Sequence, residues 1–328
     1  MPPYRAPWWL PGGHLQTIYP SLFLKRRPPA YRRTRWETPD GDFIDLDWVG
    51  NAGDATPLVT LFHGLEGGSR SHYASALMHA VASRGWQGVV VHFRGCGGEA
   101  NRLPRAYHSG DADEIDWILR RLRLLHDGRA LFVAGVSLGG NALLKWLGRE
   151  RRLARDVVTA AAAISAPVEL LVAGNRLSAG LNRLYGHYFL VTLKKKGLDK
   201  LERFPGLYDG AAVRNARTLR AFDDIVTAPL HGFRDADDYW TRAASASDLR
   251  RIEVPTLIVH ARNDPFLPGR HLPASGDVSA DVTLEIPRTG GHVGFASGPF
   301  PGNLHWLPGR LLEFFSQACA SREELRAS

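Results

Sequence analysis

A chain of 328 residues, 44% hydrophobic and 23% charged, is long enough to bury a large core and too apolar for disorder, so a soluble globular protein is expected. Two cysteines, Cys96 and Cys319, exclude a disulfide framework and point to a reducing, cytoplasmic compartment; no secretory signal pattern and no run of about 18 apolar residues is read. The net charge of +8 would suit nucleic acid or an anionic membrane, but the arginines are dispersed, the densest run, Lys25 to Arg35, is broken by prolines, and no nucleic-acid-binding motif accompanies it, so no nucleic-acid partner is expected.

Residues 1–30 are aromatic and irregular, and their Pro and Gly content argues against a long helix. Their aromatic surface is expected to pack on the body, with substrate or peripheral membrane contact as its other use. Arg32–Thr38 and Phe43–Val49 read as a hairpin around Pro39-Asp40-Gly41-Asp42, and the alternation of Ile44, Leu46 and Trp48 with Asp45 and Asp47 predicts one wet face. Leu58–Phe62 is an interior strand that ends in the Gly-rich loop His63-Gly64-Leu65-Glu66-Gly67-Gly68, ahead of a helix from Ser71 to Ser83. Gly88–Phe93 is another buried strand. Asp111–Leu125 follows as an amphipathic helix, with acids in its first turn and arginines near its end.

Ala130–Ala134 is a short apolar strand running into Gly135-Val136-Ser137-Leu138-Gly139 and then a helical stretch, Asn141–Leu147. A strand turning sharply into a helix with Ser at the apex forms a nucleophile elbow, and it aims the helix N-terminus at any oxyanion that develops there. Val157–Ile164 is the next strand. From Val168 to Leu249 the strand–helix rhythm stops, and Lys194–Lys196 within this stretch read as a solvated face. The rhythm returns with Pro255–Ala261 and Val282–Ile286, followed by a final helix from Leu307 to Ala320. The expected architecture is α/β, a mostly parallel doubly wound sheet, with residues 1–167 and 250–328 as the core and 168–249 as a helical cap over the strand ends.

Ser137, Asp264 and His292 each fall just past the end of a separate predicted strand, in the chain order Ser, Asp, His. Serine is a weak nucleophile at neutral pH and needs an imidazole base, which in turn needs a carboxylate to fix its tautomer. The backbone amides of Leu65 and Leu138 are the expected oxyanion hole. No His or Cys pair has metal-ligand spacing and the G-x-G-x-x-G fingerprint is missing, so neither metal nor cofactor is expected. His63 and His92 are expected to shape the site by hydrogen bonding its loops. His108 and Asp113 have the H-x4-D spacing sometimes tied to acyl transfer, but the segment leads into a helix and reads as part of its cap.

The segments Gly13-His14-Leu15-Gln16-Thr17, His63-Gly64-Leu65-Glu66-Gly67, His92–Gly98, Tyr107-His108-Ser109-Gly110, Gly135–Asn141 and Gly290–Phe295 resemble the YheT-like branch of the α/β-hydrolase superfamily across nearly the whole chain. The resemblance implies an α/β-hydrolase fold and a carboxylic-ester hydrolase of esterase or acylglycerol-lipase type acting on a small-molecule or lipid ester. It also implies Ser137, Asp264 and His292 as its triad. Animal members of the branch carry an N-terminal membrane anchor and act on phospholipids, and no such anchor is read here. Acyl transfer, or a catalytically idle scaffold that binds an acyl ligand, are the other functions this pattern could serve.

Overall fold

In a computed structural model that describes residues 1–24, 27–51, 56–126 and 128–327, eight strands form a single sheet: β1 (Arg32–Glu37), β2 (Phe43–Val49), β3 (Leu58–Phe62), β4 (Gln87–His92), β5 (Leu131–Val136), β6 (Ala160–Ile164), β7 (Thr256–Val259) and β8 (Val282–Glu285). Their order is β1-β2-β4-β3-β5-β6-β7-β8. The β1–β2 and β2–β4 pairs are antiparallel and every other pair is parallel. Strands β3 to β7 are buried throughout, which is why they read as continuous apolar runs without alternation.

Helices cover both faces. Before β6 come α1 (Gly13–Phe23), α2 (His72–Ser83), α3 (Ala112–Leu125), α4 (Leu138–Glu150) and the short α5 (Ala154–Val157). On one face Ile115, Ile118, Leu119 and Leu122 of α3 pack with Leu143, Leu144 and Leu147 of α4. On the other, Leu77, Met78 and Val81 of α2 meet the C-terminal helix, where Phe132 of β5 stacks on Phe315 with centroids 4.8 Å apart. Full burial of each such side chain contributes about 1.5–3 kcal/mol. Asp111 caps α3 by accepting from the Glu114 amide, with Asp113 and Glu114 in the first turn and Arg123 in the last.

Between β6 and β7 the chain is helical: α6 (Leu170–Leu177), α7 (Arg183–Arg203), α8 (Gly210–Asn215), α9 (Leu219–Phe222), α10 (Ala228–Leu230) and α11 (Ala236–Ala243). It carries two apolar clusters of its own, one around Tyr239 and Trp240 and one around Leu190, Val213 and Phe222. The last helix is α12 (Trp306–Ala327).

Three expectations are corrected. The N-terminal region does form an eleven-residue helix, α1, because Pro20 forfeits a single intrahelical bond while the helix face carrying Gln16 and Thr17 is buried. Strand β2 has no wet face: Asp45 and Asp47 are buried, each held by an arginine of the neighbouring edge strand. Arg35 donates to Asp45 at 2.8 Å and Arg33 to Asp47 at 2.7 Å. Lys194–Lys196 is not a uniformly solvated face either, since Lys194 donates to the carbonyls of Arg214 and Ala216, and Lys196 Nζ lies 2.8 Å from Glu66 Oε1.

Candidate active site

The three parallel strand ends that matter lie within one half of the sheet, where β5 and β7 flank β6 and β8 follows. Ser137, at the end of β5, has φ 52° and ψ −117°, a left-handed strained conformation for a residue with a Cβ. Its amide donates to Ile164 O of β6 at 2.8 Å, which fixes the turn. Glycine is required two residues to either side: a Cβ on Gly139 would meet Phe62 O and His63 O at 2.6 Å, and one on Gly135 would meet Gly139 O at 2.5 Å.

Above this turn the three sequence-predicted residues are brought together. His292 Nε2 lies 3.0 Å from Ser137 Oγ and its Nδ1 lies 2.8 Å from Asp264 Oδ2. Asp264 is buried, and its other oxygen accepts the Phe266 amide at 2.8 Å. Burial alone would raise its pKa, but the imidazoles of His292 and His260 more than offset this and hold the carboxyl well below its usual range. The arrangement therefore presents an ionised carboxylate to Nδ1–H, which leaves Nε2 free to accept from the serine hydroxyl. The ring of Phe266 stacks on His292 with centroids 4.1 Å apart and limits its rotation.

The Gly-rich loop after β3 lies beside the elbow, close enough that a Cβ on Gly64 would be 3.2 Å from Ser137 Cβ. Four of its amides are spent internally: Gly64 on Tyr73 Oη, Glu66 on Tyr107 Oη, Gly67 on Gly64 O and Gly68 on Ser71 Oγ. Among the described residues the amides of Leu65 and of Leu138, the first residue of α4, have no such acceptor, and both residues line the same cavity as Ser137. The histidines expected to shape these loops do so. His63 Nδ1 is 2.7 Å from Gly64 O and its Nε2 accepts the Phe93 amide, and burial pushes its pKa down to about 3, so it is a neutral strut. His92 bridges Asp47 Oδ2, at 2.8 Å, to Cys96 O.

Several contributors carried no role in the sequence. Gln16 of α1 accepts from Asn263 Nδ2 at 2.8 Å and from the Gly290 amide at 2.9 Å, and Thr17 Oγ1 accepts the His292 amide at 2.9 Å, so one helix face braces both the Asp264 and His292 loops. The signal was present in Gly13–Thr17, where two polar residues stand on a face that must be buried. His260, four residues before Asp264, brings Nε2 within 3.0 Å of Asp264 Oδ2, though off the alignment of a hydrogen bond. Lys196 and Glu66 tie α7 to the Gly-rich loop, and the acid also accepts from Tyr107 Oη at 2.7 Å.

The elbow opens into a cavity of about 450 Å³. Leu170, Leu177, Phe189, Leu219, Phe222 and Trp240 give it an apolar wall, all from the helices between β6 and β7. A more polar end lies toward Glu66, Asn101, Lys196 and Lys200. Burial lowers the Lys200 ammonium to about 8, against the attraction of Asp42.

Known proteins resemble this chain in sequence and in fold. The α/β-hydrolase fold model matches residues 57–299. YheT of Escherichia coli K12, to which esterase activity is ascribed, is 39% identical over 92% of this chain and 90% of its own length. Mouse phospholipase ABHD3 is 30% identical over 92% of this chain and 75% of its own, and the monoacylglycerol lipase of Saccharomyces cerevisiae is 30% identical over 80% and 59%. Among solved structures, Est1E from Butyrivibrio proteoclasticus with ferulic acid bound superposes with a TM-score of 0.56 over 89% of this chain and 100% of that one, at 16% identity, a likeness of fold. The chain belongs to the α/β-hydrolase family, in its YheT-like, ester-hydrolysing branch.

Proposed function

We propose that the protein is a serine carboxylesterase that cleaves short- to medium-chain acyl esters or acylglycerols through Ser137, His292 and Asp264 and an acyl-enzyme intermediate. The observation that carries this reading is the continuous chain Ser137 Oγ–His292–Asp264, with links of 3.0 and 2.8 Å, at the edge of an apolar cavity. In this mechanism His292 Nε2 takes the hydroxyl proton as Ser137 Oγ attacks the acyl carbonyl, and Asp264 stabilises the imidazolium. The amides of Leu65 and Leu138 receive the oxyanion. Collapse expels the alkoxide, to which His292 returns the proton. Water then enters, gives a proton to His292 and attacks the acyl carbon, and the acid leaves as Ser137 is reprotonated.

Residues 168–249 serve as the cap in this reading, and their apolar wall receives the acyl chain. No cofactor is needed for any step. The compartment we assign is the cytoplasm, supported by the free thiols of Cys96 and Cys319.

The test is a fluorophosphonate label on the intact protein combined with p-nitrophenyl butyrate turnover. A single adduct on Ser137, and loss of at least about 10³-fold in kcat for Ser137→Ala, are expected. Turnover retained by Ser137→Ala would reject the mechanism.

A further inference from the structure

Helices α1 and α7 each hold the site with one face and turn an apolar stripe to solvent with another. On α1, Gln16 and Thr17 face inward, whereas Leu15, Ile18 and Leu22, spaced i, i+3 and i+7, are exposed, Leu22 at 60%. On α7, Phe189 meets Phe266 with centroids 6.3 Å apart, whereas Leu184, Tyr188 and Val191, spaced i, i+4 and i+7, are exposed, Tyr188 at 71%. The two helices touch where His14 Nδ1 lies 3.1 Å from Tyr185 Oη with the rings 6° from parallel, so Leu15 and Leu184 stand beside the junction. An amphipathic helix of a globular protein ordinarily points such a stripe at the core.

The charge around these stripes is one-sided. Asp and Glu supply 33 of the 328 residues, yet none falls within residues 1–36 or 170–198, the two segments that carry the exposed stripes. Arg5, Arg27, Arg176 and Arg183 in the same segments are exposed. Among the described residues no helix is long and apolar enough to cross a membrane. Two exposed apolar helix faces in segments that hold exposed arginines and no acids match a surface that is greasy below and anionic above. A second copy of the chain is a poorer occupant, because it would set these acid-free, arginine-bearing segments against their own like.

We propose that α1 and α7 form a docking surface for an anionic lipid bilayer, with the stripes entering the headgroup–acyl boundary and the exposed arginines of these segments engaging the headgroups. The proposal goes beyond ester hydrolysis and does not depend on it. Because α1 also braces the His292 loop and α7 also walls the cavity, the docked protein presents its site at the lipid surface.

Co-sedimentation of the full chain with vesicles tests it, using phosphatidylglycerol–phosphatidylethanolamine vesicles against pure phosphatidylcholine. We expect binding to the anionic vesicles alone, weakened by salt, retained by Ser137→Ala and reduced roughly tenfold in the Leu22→Gln, Leu184→Gln, Tyr188→Gln triple variant. None of these three side chains lines the cavity, so turnover of the water-soluble p-nitrophenyl butyrate should be unchanged, which separates lost docking from lost folding. Equal binding to both lipids, undiminished binding by the triple variant, or no binding would overturn the proposal. So would a concentration-dependent dimer that the same substitutions abolish.

Discussion

Asp264 is buried between two imidazoles, and its role turns on which proton each partner carries. With the carboxylate ionised, Nδ1 of His292 must be the protonated nitrogen and Nε2 the acceptor facing Ser137. Asp264→Asn preserves size and burial but can offer its amide N–H to Nδ1, which moves the imidazole proton to Nε2 and removes the base that the proposed mechanism uses. We expect kcat for p-nitrophenyl butyrate to fall about 10³–10⁴-fold with KM little changed. Steady-state kinetics decide it, and a loss smaller than about tenfold would mean that the acid does not set the tautomer.

At the scale of elements, α1 is a brace and the strands are the fixed frame. Gln16 is buried and makes three bonds: its Nε2 donates to Leu10 O at 2.8 Å, and its Oε1 accepts from Asn263 and from the Gly290 amide. Gln16→Leu strips these bonds from the buried Leu10 carbonyl and Gly290 amide and from the half-buried Asn263, which should cost about 2–3 kcal/mol in stability, measured from urea unfolding. It should also lower kcat while sparing KM, because the loops that carry Asp264 and His292 of the proposed triad loosen together; an unchanged kcat would show that the brace is structural alone. The frame was readable in the chain because strands buried on both faces are written in apolar letters, and because Ser137, Asp264 and His292 each follow such a strand. What could not be read was pairing across space. Asp45 and Asp47 look solvated until Arg35 and Arg33 are seen opposite them, Lys196 looks solvated until it meets Glu66, and α1 looks broken until the His292 loop is packed against it.

Across the whole molecule, buried ionisable groups compete as pH falls. His63 and His231 are pushed down to about 3, burial being the leading cause for both, so the unfolded chain takes up protons below its ordinary imidazole pKa near 6.5 that the folded protein refuses. Stability should therefore begin to decline below about pH 6.5. Asp40, held at about 2, and Asp42, Asp47 and Asp264, also lowered, contribute stability that is complete above about pH 4 and is lost as pH falls through their folded values, so the decline steepens there. Asp223 works the other way. Burial raises it to about 6 although Thr227 Oγ1 and Trp240 Nε1 both donate to it, so between pH 4 and 6 the folded protein binds the extra proton and this residue favours folding more as pH drops. Asp223→Asn cannot titrate. Its stability relative to the native protein should rise by on the order of 2 kcal/mol from pH 4 to pH 7.5, read from paired urea midpoints. A difference independent of pH would mean that Asp223 is ionised throughout and that the helices between β6 and β7 tolerate a buried charge beneath Trp240.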